Sequence, residues 1–397
     1  MARSSLHGVR WHPPAPATPV PRRSDPRTLP ALTLLQLPGY GPEHVTVDGK
    51  GYVLTGLTDG RIVRVGPAGD TEIVANTGGR PLGLELYGDD ALVVCDAERG
   101  LLRVPLTGSA SIDVLCNTVG GERLVFCSCP AVAADGTIYF SQSSQRFDFY
   151  HYKGDLLEHS STGRVMRYRQ GAVDIIADSL DFANGVVLSP DESTLAVAET
   201  GAYRVTRIQL TGAQAGQTST LIAALPGFPD NLTTDADGLI WIGMASPRDA
   251  TLDFLLPRAP WLRSAVWAIP DRLQPKPKNM AWALAIDVNG TIVHDLRAWN
   301  VGYHEVTAAR VHDGKLYLAS VDATALAVTD LPGATQRLAA CGYLRRRSGR
   351  CASSARVSPP ERAARWPGWR SPAAARARGT CRRPAAHPSP AIRAPGC

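Results

Sequence analysis

Within its 397 residues the chain has no run approaching the ~20 apolar residues that a membrane-spanning helix requires, so insertion by such a helix is not expected. It also lacks a phosphate-binding glycine loop, a GxSxG elbow and a dinucleotide fingerprint. Those absences argue against a nucleotide-dependent enzyme and against a serine hydrolase of the elbow type. No His/Cys set stands at zinc spacing, and the eight cysteines form no disulfide framework behind a secretory leader. The first 30 residues hold no apolar core of a signal peptide. A reducing, cytoplasmic setting is the expectation.

A basic stripe interleaved with aromatics is missing too, although the net charge is +6. Residues 334–397 contain 14 Arg, no Lys and a single acid, Glu361, which puts +13 there and leaves −7 for residues 1–333. The positive charge is a property of the tail, and binding to nucleic acid is not supported. That tail is dominated by Arg, Ala and Pro, has almost no periodic apolar pattern, and is expected to be disordered. Its abrupt change of composition is that of a GC-rich gene read out of frame; a basic interaction tail is the alternative. Cys341, Cys351, Cys381 and Cys397 lie in it, whereas Cys95, Cys116, Cys127 and Cys129 sit in apolar runs such as ALVVCD and LVFCSC. Buried free thiols are expected at those four. Residues 1–30 are rich in Pro and Arg and read as an extended, disordered arm.

What remains, residues 31–333, repeats itself. An acidic or glycine turn followed by an alternating apolar run recurs as VDGKGYVLTG, YGDDALVVCD, AADGTIYFSQ, SPDESTLAVAE, DADGLIWIGM and VHDGKLYLAS. Turns of this kind between runs rich in Val, Ile, Tyr and Trp are hairpin signals. Asp48, Asp89, Asp135, Asp191, Asp237 and Asp313 mark the six turns. Repeats of ~40–50 residues, each a four-stranded unit, are the signature of a β-propeller. The spacing therefore predicts an all-β, six-bladed propeller closed by the strand around Leu34–Leu37. An additional IDVNGTIVHDL hairpin and an insertion at 250–280 occupy the widest interval.

The stretch from Ile138 to Gly212, with FANGVVLSPDESTLAVAETGAYRVTRIQLTG at its end, resembles the conserved region of the strictosidine-synthase-like family. GPEHVTVD, GRPLGLEL and FPDNLTTDADGLIWIG extend the likeness over most of the repeats. The wider group includes gluconolactonases and paraoxonases. The resemblance implies a propeller with a metal, usually calcium, low in the central channel. It leaves the reaction open, because this fold hosts hydrolases, a condensing synthase and non-enzymes.

The residues carry a separate argument for a metal. Polar residues just before an apolar inner strand can converge in the tunnel, and Glu43, Asn184, Asp230 and Asn231 all occupy such places. Calcium takes 6–8 oxygen ligands from carboxylates and amides, which this set supplies. Turn chemistry is the competing reading, since Asn-Gly and Pro-Asp are common turn dipeptides. By resemblance Glu43, Asn184 and Asp230 correspond to the metal ligands of the lactonases, and Asn231 to the neighbouring amide of the paraoxonases. The resemblance also makes Asp230 both ligand and base.

Three departures stand out. Cys129 occupies a place where the lactonases carry a ligating Asn, and a thiol is a poor calcium ligand. Thr307 stands where the plant synthase has its catalytic Glu; Glu305, two residues earlier, shares that face by the period of a strand. Leu82 falls where paraoxonases have a channel His. His151, His159 and His304 are other candidate bases, with a solvated rim position as the plain alternative. Arg80, Asp96 and Glu199 read either as channel residues or as salt-bridge partners. Phe147, Phe149, Tyr150 and Tyr152, after the third repeat's inner strand, read either as an apolar lid or as inter-blade packing. The function expected is metal-dependent hydrolysis of a small lactone or ester, with Asp230 and Glu305 as catalytic candidates. A vestigial, ligand-binding propeller and a carbon–nitrogen condensing synthase are the alternatives.

Overall fold

The computed structural model describes residues 5–106, 111–270 and 276–333, and the tail from 334 lies outside these described residues. Each predicted repeat folds as a four-stranded antiparallel blade, giving six. Blade 1 consists of Thr46–Val47, Val53–Gly56, Arg61–Val65 and Thr71–Asn76, and blade 2 of Pro81–Tyr87, Ala91–Asp96, Gly100–Pro105 and Asp113–Cys116. Blade 3 contains Cys127–Val132, Ile138–Gln142, Gly163–Arg169 and Ala172–Leu180, and blade 4 contains Ala183–Leu188, Thr194–Glu199, Arg204–Gln209 and Thr218–Ile222. Blade 5 comprises Gly227–Thr234, Ile240–Pro247, Met280–Ile286 and Ile292–Trp299. Blade 6 takes Val306–His312, Lys315–Ser320 and Ala325–Asp330 from one end of the domain and Thr33–Gln36 from the other. Thr33 pairs with Val328 and Gln36 with Ala325, so the predicted closing strand does join the ends of the ring.

The aspartate turns link the first and second strands of every blade. In blade 1, Asp48 Oδ1 accepts from the backbone N–H groups of Lys50 and Tyr52, both at 2.9 Å. Blade 5 shifts this role by two residues: Asp235, not Asp237, accepts from the amides at 237 and 239, both at 2.9 Å. A short acid bonding its own backbone two residues on is an Asx turn, and Asp135 and Asp191 make the same bond to the amides of Thr137 and Ser193 in blades 3 and 4.

Apolar faces of successive blades interlock. Trp282 and Met244 of blade 5 meet Val205 of blade 4, while Trp241 and Ala283 meet Leu316 and Ala327 of blade 6, all fully buried. Full burial of a Val, Leu or Met side chain such as Val205, Leu316 or Met244 contributes ~1.5–3 kcal/mol of transfer free energy. The first strands approach closely around the channel. A Cβ on Gly185 would lie 2.2 Å from the Leu232 nitrogen, so only glycine lets the first strands of blades 4 and 5 touch there.

Among the described residues, three α-helices interrupt the ring. Helix α1 (Tyr152–Glu158) lies between the second and third strands of blade 3; α2 (Ala250–Leu255) and α3 (Pro260–Trp267) fill the insertion of blade 5. Asp249 caps α2 by accepting from the amides of Thr251 and Leu252 at 2.9 Å. The aromatic group thus follows the second strand of blade 3, not its inner strand. Residues 5–30 have no helix and no strand, as their composition predicts, but they are pinned rather than disordered. Val9 N–H bonds the Glu158 carbonyl at 2.9 Å, Trp11 N–H bonds that of Leu256 at 3.2 Å, and Leu29 is buried against blades 5 and 6.

Candidate functional site

The beginnings of the six first strands converge, as the sequence predicts, and the side chains there are buried. Glu43, Asn184 and Asp230 line one cavity of about 240 Å³, together with Ser128, Glu305 and Thr307. The polar groups are tightly connected. Asn184 Nδ2 donates to Asp230 Oδ1 at 2.7 Å, and Asn184 Oδ1 accepts from the Ser128 hydroxyl at 3.1 Å. Asn231, fully buried one layer behind, donates from Nδ2 to Glu43 Oε1 at 2.8 Å. Thr307 donates its hydroxyl to the Glu43 carbonyl. All four predicted ligand residues are therefore brought together.

Their electrostatics are unbalanced. Burial lifts the Glu43 carboxyl to about 7, against the opposing pull of Asn231 and Arg80. Burial and then the Glu43 charge push Asp230 well above the usual carboxylate range. Two carboxylates desolvated side by side favour a shared proton or a cation. Glu43 Oε2 and Asn231 Oδ1 have no hydrogen-bond partner among the described residues, although both are buried. Unpaired buried acceptors are costly, and these belong to carboxylate and amide groups, which are hard oxygen donors. The set fits a calcium-like cation.

Cys129 does not stand in this ring. The irregular pairing between Cys127 and Pro130 breaks the two-residue alternation, so Cys127 and Cys129 enter apolar clusters on opposite sides of blade 3 while Ser128 lines the cavity. The thiol consequently takes nothing away from the oxygen set. Cys95, Cys116, Cys127 and Cys129 are all free and buried, as expected. Leu82 lines the cavity, confirming an apolar side chain on that wall.

Glu305 and Thr307 both line the cavity, but Glu305 lies just before the strand Val306–His312, so a local turn and not the strand period puts it there. Glu305 has φ +48°, a left-handed backbone turn unusual for an acid side chain. Burial lifts its carboxyl to about 7, with Lys153 opposing the shift. Of the predicted bases, His159 is buried beneath Trp11, with ring centroids 4.2 Å apart. His151 bonds Asp148 at 2.7 Å on the surface. His304 bonds Asp322 at 3.0 Å next to Glu305.

Asp96 and Glu199 are structural. Asp96 Oδ1 accepts from the amides of Arg80, Glu98 and Arg99 at 2.9–3.0 Å; Glu199 takes both arms of Arg204 at 2.7 Å. Arg80 is fully buried behind Phe149, its guanidinium 5.1 Å from the ring centroid. The aromatic group divides. Phe149 and Tyr152 line the cavity, Phe147 packs in the core against Trp267, and Tyr150 lies on the surface bonded to Glu98. Sequence reasoning missed the rest of the apolar wall: Phe126, Phe182 and Phe228 from the blades, Leu252 and Leu255 from α2. Their positions follow from loops and helices that repeat periodicity does not place.

Comparison with known proteins agrees with this architecture. Family models described as strictosidine synthase and as strictosidine synthase-like, N-terminal, match residues 131–213 and 27–65. Adipocyte plasma membrane-associated protein of Salmo salar is 32% identical over 319 residues, covering 73% of this chain and 76% of that protein. A strictosidine synthase-like protein of Arabidopsis thaliana is 32% identical over 258 residues, covering 63% and 68% respectively. Among solved structures, a gluconolactonase of Xanthomonas campestris has a TM-score of 0.57 at 18% identity, covering 82% of this chain and all of that one. Regucalcin, a calcium-binding protein of Agrobacterium tumefaciens, has a TM-score of 0.55 at 13% identity, covering 76% and 94%. At those identities the structural likeness establishes the fold alone. The sequence matches go further: the chain belongs to the strictosidine synthase-like family.

Proposed function

We propose that the protein is a metal-dependent hydrolase of a small ester or lactone with an apolar acyl or alkyl portion. The observation that carries this reading is the buried ring of hard oxygen donors, with the orphaned Glu43 Oε2, at one end of an apolar cavity. Glu43, Asn184, Asp230 and Asn231 would hold the cation, with calcium the best fit to their chemistry. When bound, it would supply Lewis-acid polarisation of the substrate carbonyl.

The chain's own groups divide the remaining work. Asp230 is committed to Asn184 and shares its desolvated site with Glu43, which suits a ligand better than a base. Glu305 faces the same cavity with a carboxyl near 7, where a general base is most effective at neutral pH. It would take a proton from the attacking water. Leu82, Phe126 and Phe182 exclude bulk water and favour an apolar chain over a sugar ring. The same Glu305 would also suit amine–aldehyde condensation, so that reaction belongs in the assay. A panel of esters, lactones and one amine–aldehyde pair, with and without chelator, tests the reading. Chelator-sensitive ester or lactone hydrolysis is expected; a metal-free protein without turnover would overturn it.

A further inference from the structure

His304 is the candidate base that the hydrolytic reading leaves unused. It directly precedes Glu305 in the chain but does not line the cavity. Its Nε2 bonds Asp322 Oδ2 at 3.0 Å, and Asp322 also accepts from the Tyr40 hydroxyl. The backbone on either side is fixed, because the Ser320 hydroxyl bonds the His304 carbonyl at 2.6 Å and accepts from the Asp322 amide at 3.2 Å. One ligating atom from each of His304, Glu305 and Asp322 lies within 4.8 Å of the others. Glu305 lines the cavity and is half-buried, as is His304, whose side chain is 28% exposed; that of Asp322 is 43% exposed.

Each ester or lactone hydrolysed at neutral pH releases a proton into a cavity walled by Leu82, Phe126 and Phe182. A base such as Glu305 must lose that proton before the next turnover, and the His304–Asp322 pair stands within 4.8 Å of it with both side chains partly exposed to solvent. We propose that His304 is the proton shuttle for Glu305, held in place by Asp322 and Tyr40; this rests on Glu305 being the base of the hydrolytic reaction. The attacking water gives one proton to the Glu305 carboxylate while its oxygen forms the new bond to the acyl carbon. The acyl–alkoxy bond breaks, and the leaving alkoxide takes the water's second proton from the newly formed acid, so one net proton stays on Glu305. Protonated Glu305 passes the proton, across at most one water, to the neutral imidazole of His304. The imidazolium, stabilised by Asp322, releases it to solvent and returns to the neutral form. The groups facing this path are Lys153 and Asp230 on the Glu305 side and Asp322 and Tyr40 on the His304 side.

The test is steady-state hydrolysis of a p-nitrophenyl ester by the full chain loaded with calcium, in dilute and in concentrated buffer. His304→Gln should lower kcat ~10-fold in dilute buffer with KM unchanged, within the range of a proton-transfer contribution. Added imidazole should restore the rate. Asp322→Asn should show a smaller loss, also restored by imidazole, whereas Glu305→Gln should be inactive under every condition. An unchanged kcat for His304→Gln in dilute buffer, or a loss that imidazole does not restore in a protein of wild-type melting temperature, would overturn the shuttle while leaving the hydrolase intact. A wild-type protein that hydrolyses no ester or lactone would overturn both.

Discussion

Asn231 holds Glu43 by a 2.8 Å hydrogen bond to Oε1 and leaves Oε2 buried without a partner. The amide fixes the carboxylate in place but satisfies only half of it. Asp230, the residue before Asn231, adds a second desolvated carboxyl to the same site. A proton or a cation bound there would satisfy the unpaired oxygen.

Asp230→Asn should separate stability from binding. Replacing a buried, desolvated carboxyl by a neutral amide should raise the melting temperature of the chelated protein by a few degrees. Calcium binding, followed by titration calorimetry, should fall at least ~100-fold, since a carboxylate ligand and its charge are lost together. Hydrolysis should disappear with it. A variant that binds calcium as wild type would show that the ring is not the metal site.

Metal affinity should rise with pH through neutrality. Glu43 has a carboxyl near 7, so below that pH a proton competes with the cation. Calcium should bind more tightly at pH 8 than at pH 6, with the steepest change near 7. In the chelated protein the sign reverses. A carboxyl raised on folding favours the native state most below its unfolded value near 4.5, and that contribution is lost as pH climbs through 7. Melting curves with chelator across this range should fall towards alkaline pH.

Asp155 makes the same argument for α1. It is buried within the helix, accepts from the Thr162 hydroxyl, and has its carboxyl lifted to about 7 by burial. Its stabilising contribution is complete below about 3.8 and disappears as pH rises through 7. Asp155→Asn should melt above wild type at pH 8, and the two should converge near pH 4. A constant difference between them would show that Asp155 is ionised throughout.

The arm should act as a strap on the cavity roof. Arg263 is fully buried; it donates to the Leu157 carbonyl of α1 at 2.7 Å and to the Val9 carbonyl at 2.8 Å. Arg263→Ala would strand those acceptors and should cost ~2 kcal/mol. Deleting residues 1–12 should speed hydrogen exchange in α1 and α3 while leaving the blades protected. Equal exchange in both proteins would show that the arm bears no load.

The blades were legible because a strand with one face on each neighbour, and a turn closed by a short acid, leave a local period. Six turn aspartates and the alternating runs sufficed for the ring and for its closure at Thr33–Gln36. Glu43 and Asn184 were legible because they precede or open an inner strand, whereas Asp230 and Asn231 stand mid-strand, where the pairing between Pro229 and Leu232 is irregular. Ser128 was not: a shift of one residue along a strand changes the face, and the irregular pairing between Cys127 and Pro130 hides that register.

The sequence by itself determined what is local and periodic: the number of blades, their order, the acid turns and the converging strand starts. Tertiary structure alone decided which side chains share a space. It sent Cys129 into an inter-blade cluster, placed Phe126 and Phe182 around the cavity, and set His304 against Asp322 beside Glu305. It also turned the proline-rich arm into a strap held by Arg263. Those outcomes depend on contacts between residues far apart in the chain, where no period operates and only packing and the pairing of buried polar groups select the arrangement.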